Sequence, residues 1–96
     1  MIGGILINSK EILSMNLKFY RQKYNLSQEK FAEIIGSNLV YLNQMENCKR
    51  KPTIDMLDKI KDNLNKFDKT LNLNSSDLIA YNPKHKTDYS RIDEKK

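Results

Sequence analysis

Apolar residues in this chain recur mainly at steps of three and four, the period of a helix that buries one face. Between Met15 and Asn25, Leu17, Tyr20 and Tyr24 keep that spacing around Lys18, Arg21 and Lys23. Ser9 can cap this helix if it begins early, with Ile12 and Leu13 extending the stripe. Ser27 is a good N-cap for a second helix. Glu29 stands in its first turn, where the helix dipole favours an anion, and Phe31, Ile34 and Ile35 supply the apolar face. Lys30 at the third position excludes a strict capping box. Gly36 stops the helix at the position that tolerates a left-handed backbone. Asn38 caps a third helix from Leu39 to about Glu46, in which Leu42 and Met45 point inward together. Thr53 caps the longest stripe: Ile54, Leu57, Ile60, Leu64, Phe67 and Leu71. After an interruption at 72–76, Ser75 or Ser76 can cap a short helix carrying Leu78, Ile79 and Tyr81.

The pattern is all-α: four short helices and a candidate fifth, without internal repeats. Residues 15–81 make one domain. Residues 1–14 read as a variable leader, in which Gly3-Gly4 and Ile5-Leu6-Ile7 fit a short strand, an arm or a helical extension equally well. From Asn82 the chain is polar and aperiodic, so 82–96 is expected to be a flexible tail with His85 idle in it.

Composition narrows the function. A length of 96 residues suits one small domain and excludes a (β/α)₈ barrel, which needs roughly 200 or more. No apolar run approaches the ~18 residues of a membrane span, and the first residues lack a signal-peptide pattern, so a cytoplasmic protein is expected. Cys48 and His85 are the sole cysteine and histidine. That removes an internal disulfide, a CxxC zinc site and most Ser-His-Asp arrangements. Asp55, Asp58 and Asp62 share a helical face already balanced by Lys59 and Lys61. No metal and no cofactor are expected, and no nucleophile–base pair or glycine-rich phosphate loop suggests an enzyme. Net charge is +5, and residues 1–51 hold eight positive against four negative side chains, so +4 of it lies there. Lys49-Arg50-Lys51 is the densest part of that excess, and a placed basic cluster suits a nucleic acid.

The segment Gln28–Met45 meets the demands of a helix-turn-helix. Ala32 is small where the two helices cross, Gly36 supplies the turn, and Leu42 packs the second helix onto the first. Three further stretches complete the pattern: Leu26 to Gly36 (LSQEKFAEIIG), Met45-Glu46-Asn47, and Lys49-Arg50-Lys51-Pro52. Over about Leu17 to Leu64 the sequence resembles the Xre-type, Cro and phage-repressor helix-turn-helix family.

That resemblance implies a compact four- to five-helix, lambda-repressor-like DNA-binding domain. It implies a sequence-specific regulator of phage or mobile-element type, a repressor acting as a homodimer on a palindromic operator in double-stranded DNA. Leu39–Glu46 would be the recognition helix, with Asn38, Leu39, Val40, Tyr41, Asn43 and Gln44 facing the major groove. Gln28 would contact a phosphate and brace that helix; Asn47, Lys49, Arg50 and Lys51 would meet the DNA backbone. Arg21 and Glu46 occupy positions that pair as a buried salt bridge in relatives. Cys48 stands where relatives usually have glycine, and cysteine is uncommon at positive φ. By chemistry, Asn43 and Gln44 are the best base readers, since an amide can grip adenine at two points, while Leu39 and Val40 can touch only thymine methyls. The apolar surplus at Leu64, Phe67, Leu71, Leu78 and Ile79 is the expected dimer interface. An alternative is an antitoxin-like interaction module of the same fold, holding a protein partner such as a toxin or antirepressor. An RNA reader ranks last, because Tyr41 alone is placed to stack a base.

Overall fold

The computed structural model describes residues 8–85, and among them all regular structure is helical. The elements are α1 (Ser9–Lys23), α2 (Gln28–Ile35), α3 (Leu39–Glu46), α4 (Ile54–Phe67) and a 3₁₀ helix (Ser75–Ile79). Each α-helix starts on a side-chain cap: Asn8, Ser27, Asn38 and Thr53 accept from Glu11, Lys30, Tyr41 and Met56 N–H respectively. The first of these is a full capping box with Glu11. The first helix therefore begins at Ser9 rather than Met15. Leu13 and Ser14, placed in the leader by the sequence pattern, are buried. The Gly3-Gly4 and Ile5–Ile7 stretch lies outside the described residues, as does the chain beyond His85.

Three helices end in the same way. Asn25 (φ 55°), Gly36 (φ 79°) and Cys48 (φ 62°) are left-handed. The next N–H in each case reaches back five residues: Leu26 to Arg21, Ser37 to Ala32, Lys49 to Gln44. This is the Schellman geometry that satisfies orphan carbonyls at a helix end. At Gly36 a Cβ would also stand 2.7 Å from Asn63 Nδ2, so any side chain there would displace that amide. That amide donates to the Ile35 carbonyl at 2.9 Å and locks α2 onto α4.

The core gathers Leu13, Leu17, Phe31, Ile35, Leu42, Ile60, Leu64 and Leu78. α1 packs on α3 and on the 3₁₀ helix; α2 packs on α3 and α4; α4 also meets the 3₁₀ helix. The α4 stripe stops at Phe67 rather than running through Leu71. Asp68 turns extended, and its carboxylate accepts from Thr70 N–H at 3.0 Å and from the Tyr24 hydroxyl at 2.5 Å. Those bonds, with a third from the Thr70 hydroxyl at 2.6 Å, hold the Asp68 carboxyl below the ordinary carboxylate value, the Thr70 hydroxyl bond being the largest cause. Burial first, then the Asp68 bond, pushes the Tyr24 hydroxyl well above the ordinary tyrosine value.

Leu64 and Leu78 are fully buried within the single chain. They cannot present a surface to a second copy, because the 3₁₀ helix folds back over α1 and α4 and uses them in one core. His85 is likewise not idle. Its Nδ1 lies 2.6 Å from Asn16 Oδ1, and its ring stacks on Phe19 with centroids 3.7 Å apart. Asn16, itself buried, donates to the Leu78 carbonyl at 2.7 Å and the Ala80 carbonyl at 3.2 Å. Its Nδ2 is thus turned to carbonyls and its oxygen to His85, so His85 Nδ1 is the donor. Residues 82–85 belong to the folded domain.

Candidate nucleic-acid interface

α2 and α3 form two short helices joined by the Gly36 turn, and α3 packs on α2 and α1. Its inner face is Leu42, Met45 and Glu46, all buried. Its outer face is what the sequence assigned to the groove. Asn38, Leu39, Val40 and Asn43 are exposed, and Tyr41 and Gln44 are half-buried. Val40 is 67% exposed, a value with no packing purpose in one chain.

Glu46 organises the base of this face. Its carboxylate is 2% exposed and takes two bonds from Arg21, Nε at 2.8 Å and Nη2 at 3.0 Å. Gln28 Nε2 donates to the same carboxylate at 2.9 Å. Ser14 Oγ donates to the Glu46 main-chain oxygen at 2.5 Å, so α1 grips the end of α3 twice. Ser14 was missed in the sequence because it fell in the supposed leader; the stripe through Ile12 and Leu13 was the signal that could have placed it.

From Glu46 a line of amides runs outward. Asn43 Nδ2 faces Gln28 Oε1 at 3.4 Å, and Asn47 Nδ2 donates to both the Asn43 carbonyl (2.9 Å) and Asn43 Oδ1 (3.1 Å). Gln28, Asn43 and Asn47 are thus one network with the Arg21–Glu46 pair. A second group forms at the loop. The Arg50 guanidinium lies 4.3 Å from the Tyr41 ring centroid and donates to Gln44 Oε1 at 2.6 Å. Lys49 and Lys51 flank it, exposed. Gln28 also opens α2, where helix N–H groups favour an anion such as a phosphate.

The remaining assigned residues are not brought together with this face. Leu64 and Leu78 are core; Phe67 is 44% exposed and edge-on to Tyr24, and Leu71 and Ile79 are half-buried against the core. Among the described residues, no three His, Cys, Asp or Glu side chains cluster as a metal site. No described helix is long and apolar enough to cross a membrane.

A helix with an exposed polar and apolar face, seated on a second helix through a left-handed glycine and flanked by a basic loop, defines a helix-turn-helix domain. A family model described as helix-turn-helix matches residues 17–68, more than half of the chain. The chain belongs to that family, the Xre-type, lambda-repressor-like helix-turn-helix proteins, a family of DNA-binding regulators. It is similar to the control protein C.SmaI of Serratia marcescens, with 44% identity over 48 residues, which is 50% of this chain and 57% of that relative. The chain thus matches little more than half the length of the curated relative. No solved structure matches it.

Proposed function

We propose that this chain is a sequence-specific transcriptional regulator, a repressor that lays α3 in the major groove of double-stranded DNA. The observation that carries this reading is the juxtaposition of the exposed α3 face with Lys49, Arg50 and Lys51 on one side of the domain. Phosphate contacts position such a domain and base-edge contacts specify its site. Asn38, Leu39, Val40, Tyr41, Asn43 and Gln44 supply the groove-facing set; Gln28, Asn47, Lys49 and Lys51 meet phosphates. The protein acts as a homodimer on a palindromic operator, with half-sites about one helical turn apart. Phe67, Leu71 and Ile79 form the apolar edge available to a second copy, without Leu64 and Leu78.

A gel shift against the DNA upstream of its own gene tests this, repeated across salt concentrations. A retarded complex is expected. Changing Lys49 and Lys51 together to alanine should weaken it on every sequence and lower the log–log salt slope by about 2. No complex, or a complex indifferent to the double change, refutes the reading. One observation favours a second reading. Leu39 and Val40 give the recognition helix an apolar tip suited to a protein partner of toxin or antirepressor type. A co-purifying protein displaced by Val40→Asp, without DNA affinity, would establish that alternative.

A further inference from the structure

Each amide oxygen on the α3 face already accepts a hydrogen bond from within the chain. Asn38 Oδ1 accepts from Tyr41 N–H at 2.9 Å, Asn43 Oδ1 from Asn47 Nδ2 at 3.1 Å, and Gln44 Oε1 from Arg50 Nη2 at 2.6 Å. The partners fix how each amide is turned. A backbone N–H and a guanidinium can only donate, which fixes Asn38 and Gln44. Glu46 can only accept, so Gln28 turns its nitrogen inward and its oxygen toward Asn43 Nδ2. Asn47 Nδ2 also donates to the Asn43 main-chain carbonyl, so its nitrogen faces Asn43 and Asn43 turns its side-chain oxygen toward it. Each orientation is forced by a group that has a single role.

Resting on the DNA-binding reading, the geometry points to Arg50 as a specificity-determining positioning residue that turns Gln44 so that its amide nitrogen is the group left uncommitted. An amide grips adenine by accepting from N6 while donating to N7; the Gln44 oxygen already carries a charged hydrogen bond from Arg50, whose guanidinium competes with and repels a second donor such as N6. With Nε2 uncommitted and a guanidinium on its oxygen, Gln44 favours a base edge rich in acceptors, guanine O6 and N7 or thymine O4. Arg50 is held for this task from two sides, by the Gln44 oxygen and by the Tyr41 ring beneath its guanidinium. A planar fork lying on an aromatic ring keeps a fixed orientation that a lysine would not. Arg50 thus acts through Gln44, unlike Lys49 and Lys51 on either side of it.

The test is selection of binding sites from a random duplex pool by the full chain. Wild type, Arg50→Ala, Gln44→Ala and the double variant are compared, each checked for helix content by circular dichroism. Neither residue is in the core, so all four should fold. The base pair whose preference Gln44→Ala flattens is the one Gln44 reads. At that pair wild type should favour guanine or thymine over adenine by about fivefold to tenfold. Arg50→Ala frees Oε1, and the preference should move toward adenine by a similar factor, with the other positions unchanged. The double variant should match Gln44→Ala at that pair. Adenine at that pair in wild type overturns the inference. So does an Arg50→Ala motif identical to wild type with affinity lowered uniformly, which is the behaviour of a phosphate contact. A wild-type chain that enriches no sequence overturns the DNA-binding reading and this inference with it.

Discussion

Replacing Glu46 by alanine removes a buried carboxylate on which three parts of the fold converge. In the native chain that carboxylate is 2% exposed and satisfied by Arg21 at 2.8 and 3.0 Å and by Gln28 at 2.9 Å. Without it, Arg21 keeps only the Leu26 carbonyl at 3.3 Å, and Gln28 Nε2 loses its acceptor. Breaking one side of a buried pair costs about 3–5 kcal/mol, because the other charge is left uncompensated. Arg21 is 21% exposed at its side chain and can recover some water, which places the cost near the lower end, about 3 kcal/mol. That is a large share of the ~5–15 kcal/mol that stabilises a domain. It corresponds to a fall in melting temperature of about 12–24 °C for a chain this small. Urea unfolding followed by circular dichroism measures it, with Arg21→Met combined with Glu46→Leu as the companion variant. Apolar residues of similar volume often replace a buried pair at little net cost, so the double variant should be more stable than Glu46→Ala. A loss below about 1 kcal/mol in Glu46→Ala, or a double variant worse than the single, refutes the view that desolvation of an unpaired charge dominates here.

Two further perturbations test other joints of the structure. Cys48 holds a left-handed backbone at φ 62°, which costs a β-carbon residue about 1–2 kcal/mol. Glycine gives back about 0.5–1 kcal/mol through its freer unfolded state, so Cys48→Gly should stabilise by about 0.5–1 kcal/mol; a lower urea midpoint contradicts this. Asp68 binds its proton more weakly folded than unfolded. Its contribution is therefore present above the unfolded value of about 3.9 and disappears as pH falls through its lowered folded value. Urea midpoints measured from about pH 5 down to about pH 2 should fall less steeply in Asp68→Asn than in wild type; parallel curves would show that Thr70 and Tyr24 do not favour the ionised form.

What could be read from sequence was what local chemistry decides. Ser27, Asn38 and Thr53 cap helices because a short polar side chain can reach its own N–H groups two or three residues on, and Gly36 ends one because its backbone can turn left. Such features need no distant partner. The errors came where a distant partner decides. His85 looks idle in a polar stretch, yet Asn16, far away in the chain, offers it a buried acceptor and Phe19 a ring to stack on. Leu64 and Leu78 look like surplus apolar surface until the chain after Asp68 doubles back, a path fixed when Asn65 exchanges two bonds with the Leu73 backbone at 3.0 and 2.8 Å. The start of α1 was legible in principle, since Asn8 and Glu11 have capping-box spacing, but Ser9 offered a competing cap.

The candidate site divides along the same line. Residue identity placed Asn43 and Gln44 on the outer face of α3, and from identity alone an amide reads adenine. Orientation was beyond reach, because it is inherited. Glu46 accepts from Gln28, which leaves the Gln28 oxygen for Asn43; the Asn43 oxygen in turn meets Asn47. The sign of a buried charge is passed outward, one amide at a time, to the surface proposed to meet the groove. If α3 reads bases as proposed, Glu46 has two separable effects, on stability through Arg21 and on readout through Gln28. Arg21→Met should destabilise while leaving the Gln28 amide facing the carboxylate. Gln28→Leu should spare most of the stability and free the Asn43 amide nitrogen for a base edge, while Asn47 still holds the Asn43 oxygen. A change of base preference in the second variant and not the first would trace readout to the amide line rather than to the firmness of the fold.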